Sequence, residues 1–225
     1  MAMPIRSPLF TRAWTSEGST SLLFSSLQAW AALPLMLGGL AVFGIVDLGA
    51  NPQESIIRGL GQTSLVLLLL AYAISPIERL WRLFADQSGR KAKPFGLVPA
   101  RRSVGLWALG YAILHLLAYW LFEHDRDTWK VVVDFFRRPF VTVGTVALLL
   151  MLALGLTSNR FSMTRLGPSW KQLHRLIGLI VALSILHYVL HKAGKNDFTE
   201  PAAFGLVALT AWLLKLKRPA RAAGQ

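Results

Sequence analysis

The sequence predicts an all-α integral membrane bundle of about six transmembrane helices. Of its 225 residues, 54% are hydrophobic and only 16% are charged, whereas soluble globular proteins are roughly 25% charged. The apolar residues also fall into blocks of about 18–22 residues, the length that crosses ~30 Å of hydrocarbon at ~1.5 Å per residue. Composition and block length together place the chain in a bilayer.

Six apolar spans follow one another along the chain, and prolines mark several of their ends. Asn51-Pro52 indicates a turn before the second span, Pro76 closes that span, and Pro139 opens the fourth. The predicted spans are 25–47, 59–76, 103–123, 140–157, 170–190 and 201–216.

Lys and Arg residues are distributed unequally between the two sides of this bundle. The side that carries both chain ends has 15 of them, counting Lys215 at the end of the sixth span, and the other side has 7. Because positive residues are retained on the cytoplasmic side, we predict cytoplasmic tails at 1–24 and 217–225 around a transmembrane domain at 25–216. The net charge of +13 is therefore a property of membrane-surface loops, and it forms no continuous stripe for nucleic acid.

The chain contains no cysteine. Disulfides, thiolate metal sites, iron–sulfur clusters and cysteine nucleophiles are therefore excluded within it.

Three histidines lie within the predicted spans, where ionisable side chains are costly and are candidates for function. His115 is deep in the third span, and His174 and His187 lie near the two ends of the fifth. Neutral imidazole is a ligand of haem iron that tolerates an apolar surround. One such histidine is as often a packing residue, but two on separate spans at matching depth are more specific.

The depth of each histidine in the membrane indicates which two could bind the same iron. His115 is offset from His187 by about 6 Å along the membrane normal, but from His174 by about 13 Å. We therefore predict His115 and His187 as the two axial ligands of a haem in the outer half of the membrane. His174 is about 140° from His187 around a regular helix, so the two would not face the same cofactor. His174 could ligate a second haem, contact a flavin or quinone, or pack between helices.

Other polar residues allow two interpretations each. Arg101-Arg102 and the stretch 170–175 lie on the cytoplasmic side, where they could bind a flavin phosphate or anchor to lipid headgroups. The outward loop 123–139 could dock a partner or be solvated. His124 in that loop is expected to be solvated, and His191 lies at the edge of the fifth span.

Several short motifs resemble the MsrQ family of haem-binding membrane subunits of methionine sulfoxide reductase systems, within the ferric reductase-like transmembrane group. They cover about residues 45–192, and the order and spacing of the histidines carry the resemblance. The matching stretches are Gly49-Ala50-Asn51-Pro52, Arg101-Arg102, Gly105-Leu106-Trp107, Leu114-His115-Leu116, Arg138-Pro139-Phe140, Thr157-Ser158, Leu166-Gly167, Trp170-Lys171-Gln172-Leu173-His174 and Ile185-Leu186-His187-Tyr188.

The resemblance implies a multi-pass protein of the bacterial inner membrane that binds haem b and FMN. Such a protein takes electrons from the quinone pool, or from a cytoplasmic flavin reductase, and passes them to a periplasmic molybdopterin enzyme (MsrP-like) that repairs oxidised methionines in proteins. The catalytic site then lies in the partner chain. The family's haem-associated positions correspond to His115, His174 and His187. Arg58 is a departure, because some relatives have histidine there.

Two alternatives remain open. A stand-alone cytochrome b561-like or ferric reductase-like oxidoreductase would share the haem, although only about nine residues follow the sixth span, too few for a flavin and nicotinamide domain. A small proton-coupled transporter would use the buried histidines as relays. Against the transporter, the predicted spans contain no Asp or Glu away from their last residues, Asp47 and Glu123. They also contain no repeated pair of broken helices.

Overall fold

The computed structural model describes residues 50–87 and 100–216, and this part of the protein is built entirely from helices. A five-residue π-helical turn, Tyr119–Glu123, continues the second helix. The α-helices are α1 (Pro52–Gln87), α2 (Ala100–Ala118), α3 (Thr128–Arg137), α4 (Pro139–Leu156), α5 (Arg160–Leu166), α6 (Pro168–Arg175), α7 (Ile177–Ala193) and α8 (Thr199–Leu216).

Four helical stretches are long and apolar enough to cross a membrane: Pro52–Arg82, Ala100–Glu123, Pro139–Leu156 and Pro168–Ala193. They confirm the second to fifth predicted spans. The first, 25–47, lies outside the described residues, as do the tails 1–24 and 217–225. The sixth is helical as α8, but α8 is not among the four, so the total of six stays a prediction.

The prediction that Pro76 closes the second span is wrong. α1 continues through Pro76 to Gln87, and the proline ring is fully buried. Proline removes one backbone hydrogen bond and bends a helix, but neighbouring helices can compensate for this inside a membrane protein. The extension also carries Glu78 into the bundle, where its buried carboxylate lies 3.0 Å from Arg82 Nη2.

The fifth span is a distorted helix. α6 and α7 meet at Leu176, whose amide donates to the Leu173 carbonyl three residues earlier at 3.0 Å. An i→i−3 bond winds the chain more tightly than the α-helical i→i−4 pattern. The two predicted site histidines of this span therefore lie on separate helices, with His174 before the break and His187 after it.

α1 is packed on several sides, against α2, α7 and α8, while α4 packs on α7, α2 and α3. Ser64 in α1 donates to the Ala108 carbonyl in α2 at 2.8 Å, so small residues let these two backbones approach closely. The outward faces are apolar, as shown by the exposed Leu149, Leu156 and Leu206. An apolar surface this extensive is unfavourable in water and fits contact with lipid.

The helices alternate in direction, so the bundle has two ends. The Asn51 end contains the start of α1, the π-helical turn, α3 and the end of α7. The Arg101 end contains the starts of α2 and α6 and the end of α4.

Candidate functional site

His115 is held in one orientation by a backbone carbonyl of the neighbouring helix. Its Nδ1 lies 2.8 Å from the Ile57 oxygen in α1. A carbonyl can only accept, so Nδ1 carries the proton and donates it. The Nε2 lone pair is left free, which is how an oriented imidazole is presented to a metal.

His187 is held in the same way on the other side of the bundle. Its Nδ1 lies 2.6 Å from the Phe140 oxygen in α4. The sequence provides this acceptor because Phe140 is near the start of α4, directly after the N-terminal Pro139. His187 therefore also has a free Nε2.

Each histidine ring lies against a glycine, one helical turn after the carbonyl that it contacts. A Cβ on Gly61 would lie 3.1 Å from the His115 ring, and a Cβ on Gly144 would lie 2.6 Å from His187 Nδ1. Real Cβ atoms almost never approach other atoms within 3 Å. The two glycines thus make the space in which the imidazoles lie.

The two imidazoles are neighbours across the interior. Their ring centroids are 6.1 Å apart and their planes are at 82°. Two imidazoles that share one metal atom through bonds of about 2 Å would have centroids about 6 Å apart. The spacing therefore fits two axial ligands of a single iron, and the assignment of the two histidines as ligands stays a prediction.

A cavity of about 490 Å³ surrounds this pair, within the range of 300–1,000 Å³ typical of cofactor and ligand pockets. Its deep part is apolar and its mouth, at the Asn51 end, is polar. Residues lining the deep part include Leu65, Ala112, Ala147, Leu148 and Met151, and residues at the mouth include Asn51, Glu54, Arg58, Gln62, Glu123, Arg138, Tyr188 and His191. An amphipathic group with an apolar body and charged substituents at one edge suits such a cavity.

A bare metal ion does not suit it. Among residues 50–87 and 100–216, no three His, Asp or Glu side chains converge as metal ligands. Two histidines alone leave most of a metal's coordination open. Haem supplies four ring nitrogens of its own, so two axial imidazoles complete it.

A buried carboxylate organises one side of the mouth. Asp134 accepts a hydrogen bond from the Tyr119 hydroxyl at 2.5 Å and lies 3.1 Å from Arg138 Nε. His124 Nε2 is 3.0 Å from the same carboxylate, off the hydrogen-bonding direction. The expectation that His124 is solvated is wrong, because its side chain is 7% exposed. The Asp134 carboxylate is the polar group that lies beside this buried ring.

The other side of the mouth connects Tyr188 to the surface. Gln62 Nε2 donates to the Tyr188 hydroxyl at 2.8 Å, and that hydroxyl donates to Glu200. Lys192 bridges Glu200 and Asp197 at 3.2 and 3.0 Å. Hydrogen bonds from Thr199, and then from Lys192, hold the pKa of Asp197 at about 2.

The remaining predicted histidines are placed apart from the pair. His191 lines the mouth, with its ring 5.4 Å from that of Phe140. His174 lies at the Arg101 end, stacked on Trp170 with ring centroids 4.1 Å apart and with Nε2 3.2 Å from the Thr157 hydroxyl. The structure therefore brings together His115 and His187, but not His174.

Sequence comparisons identify relatives over most of the chain. Residues 59–186 match the family described as ferric reductase like transmembrane component. A relative from Herminiimonas arsenicoxydans is 39% identical over 89% of this chain and 87% of its own length. Relatives from Bordetella pertussis (41%; 73% of this chain and 76% of the relative) and Ralstonia nicotianae (39%; 83% and 82%) are similar. All three are named protein-methionine-sulfoxide reductase heme-binding subunit MsrQ.

Proposed function

This chain belongs to the ferric reductase-like transmembrane family, in its MsrQ group of haem-binding subunits, and we propose that it binds haem b and carries electrons across the membrane. The observation that supports this most directly is the pair of imidazoles 6.1 Å apart, each with its Nδ1 on a backbone carbonyl. Haem held between His115 and His187 would supply a one-electron redox centre.

We propose a single haem. A second one at the Arg101 end would need a partner for His174, and within residues 50–87 and 100–216 the side chains in ring or hydrogen-bond contact with His174 are Trp170 and Thr157. Neither is an axial ligand of the usual haem proteins. At the depth of His174, the residues of α2 are Arg101 and Arg102. A guanidinium has no lone pair for iron, so neither arginine could be the second axial ligand.

The acceptor we propose is a periplasmic MsrP-like molybdopterin reductase, which would repair oxidised methionines in proteins. Reduction of a sulfoxide to the thioether consumes two electrons and two protons and releases water, so the partner performs the chemistry and this chain supplies electrons. The name of the relatives, heme-binding subunit of protein-methionine-sulfoxide reductase, supports this assignment. The proposed donor is quinol or a cytoplasmic flavin reductase.

The orientation we propose has the Arg101 end in the cytoplasm of a bacterial inner membrane and the Asn51 end in the periplasm. The excess of Lys and Arg on the Arg101 side supports it. Haem would then lie in the outer half of the membrane, near the acceptor.

FMN is the second cofactor that we propose, at the Arg101 end. Arg101 is partly buried, with Nη1 3.1 Å from the Ser75 hydroxyl, and Lys215 Nζ lies 3.1 Å above the Tyr72 ring. Half-buried cations of this kind favour an anionic group such as a flavin phosphate. Flavin fluorescence released on denaturing the purified protein tests this, with Arg101→Gln as the variant that should lose it.

Electron delivery can be tested by stopped-flow spectroscopy. The detergent-purified chain is reduced with a limiting amount of dithionite and mixed anaerobically with its MsrP-like partner and a protein-bound methionine sulfoxide. We expect reoxidation of the haem only when both partner and sulfoxide are present. Equal reoxidation by ferric citrate without the partner would instead favour a stand-alone ferric reductase, and a purified chain without haem would refute the electron-transfer proposal.

A further inference from the structure

α3 connects two spans at the Asn51 end and is amphipathic. Trp129, Val132 and Phe136 share one face, within about 60° at 100° per residue, and their side chains are 72%, 39% and 79% exposed. Asp134 lies on the opposite face and is 8% exposed. Large apolar side chains thus point away from the protein while the carboxylate points into it.

The face of α3 that points into the protein is held by hydrogen bonds and an ion pair, so the helix does not rotate freely about its axis. Asp134 is held by Tyr119 and Arg138. At the start of the helix, Asp127 caps the backbone by accepting from the amides of Trp129 at 2.9 Å and Lys130 at 3.3 Å. Turning the apolar face inward would break these contacts and separate Asp134 from the Tyr119 and Arg138 side chains that pair with it.

The position of α3 along the chain identifies what covers this face. Only residues 124–127 separate it from the span that ends at Glu123, and Arg138 alone separates it from the span that begins at Pro139. At about 3.5 Å per residue, the helix cannot move far from the hydrocarbon boundary. The preceding span also has exposed apolar side chains close to this end, at Leu117 and Leu121.

We propose that α3 is an interfacial helix whose Trp129, Val132 and Phe136 side chains are inserted among the lipids of the leaflet at the Asn51 end. Tryptophan is enriched at this depth, and amphipathic helices with one aromatic face and flanking basic residues lie in the interface plane. Lys130 and Arg137 supply those basic residues. The apolar face is therefore occupied by lipid, and a soluble partner docks elsewhere on this end.

The natural absence of cysteine permits a direct test. Trp129→Cys, Val132→Cys and Phe136→Cys are each labelled with a nitroxide in vesicles of phosphatidylethanolamine and phosphatidylglycerol. Power-saturation EPR then compares accessibility to oxygen, which concentrates in lipid, with accessibility to a water-soluble nickel chelate. Lys130→Cys, whose lysine side chain is 57% exposed, is the matched control on the polar side.

We expect oxygen access and nickel shielding at all three apolar positions, with the opposite pattern at Lys130→Cys. Nickel access at the three positions equal to that of the control would overturn the proposal. Nickel access that disappears only on adding the soluble reductase partner would also overturn it, and would assign the face to a protein interface. Because labels at three independent exposed sites are compared, misfolding of one variant leaves the test decisive.

Discussion

The imidazole rings of His115 and His187 face each other across the bundle interior at 82°, with centroids 6.1 Å apart. Each is oriented by a carbonyl from a helix other than its own, Ile57 in α1 and Phe140 in α4. The positions of the two Nε2 atoms are therefore set by four helices, α1, α2, α4 and α7. Such an arrangement is preorganised, because the ligands need not be reoriented when iron is bound.

The glycines beside the rings give a prediction with an internal control. Gly144→Ala should displace His187, since the added Cβ would lie 2.6 Å from Nδ1, whereas Gly61→Ala at 3.1 Å should have a smaller effect. Overpacking of this kind costs about 1–3 kcal/mol, or about 5- to 150-fold in haem affinity. The measurement is haem content per chain after purification.

Gly110→Ala is the matched control, because a Cβ there meets nothing within 4 Å in the part of the chain that the structure describes. It should retain haem fully and be slightly more stable, since alanine favours the helix by roughly 0.5–1 kcal/mol over glycine. Equal haem loss in all three variants would show that the glycines act through helix flexibility rather than through space for the histidines.

Removal of His174 should leave the haem in place. His174→Ala deletes a ring that stacks on Trp170 and contacts Thr157 at the far end of the bundle, so we expect one haem per chain in both the wild type and the variant. The pyridine haemochrome assay measures this ratio. Two haems in the wild type and one in the variant would contradict the single-haem assignment.

The Asp134 cluster should contribute strongly to stability. Asp134→Ala removes the acceptor of the Tyr119 hydroxyl and the carboxylate beside Arg138, and leaving a buried polar group without its partner costs about 1–3 kcal/mol. Tyr119→Phe removes one hydrogen bond to a charged group, about 1.5–3 kcal/mol. Unfolding in detergent, followed by circular dichroism, measures both.

A double-mutant cycle of Tyr119→Phe with Asp134→Ala isolates the pair. We expect a coupling energy of about 0.5–3 kcal/mol, as found for residues in direct contact. Additive effects would indicate that the two side chains act independently.

Acidification should remove the contribution of Asp197. Its pKa is held at about 2 in the folded protein by Thr199 and Lys192, below the value of about 3.9 expected in an unfolded chain. Stability from this group is therefore present above about pH 4 and is lost as the pH falls through about 2. Asp197→Asn should lower the melting temperature slightly at neutral pH and have no effect well below about pH 2.

Asp125→Asn, at an exposed loop carboxylate, serves as the control for general charge effects. A melting difference for Asp197→Asn that is constant with pH would refute the ionic origin.

The histidine pair was predictable from the sequence because depth follows from the constant rise of a helix, and apolar blocks reveal where spans begin. The sequence does not predict which groups hold the two rings, because these contacts depend on how neighbouring helices align. They are the carbonyls of Ile57 and Phe140 and the space at Gly61 and Gly144. A sequence signal exists in retrospect, because each glycine follows its carbonyl by four residues within a span.

Two errors have local causes. The sequence predicts a helix end at Pro76 because proline usually terminates helices in water, whereas packing against other helices lets α1 continue. It predicts a solvated His124 because this residue lies between spans. Its burial depends on Asp134, ten residues later, and only the turn between the π-helical segment and α3 brings the two together.

EPR spectroscopy of the oxidised, purified protein tests the central claim most directly, comparing His115→Ala and His187→Ala with the controls His174→Ala and His191→Ala. We predict a low-spin signal from six-coordinate haem in the wild type and both controls, and its loss in each of the two ligand variants. A low-spin signal that persists undiminished in His115→Ala or His187→Ala would contradict the assignment of that histidine as an axial ligand.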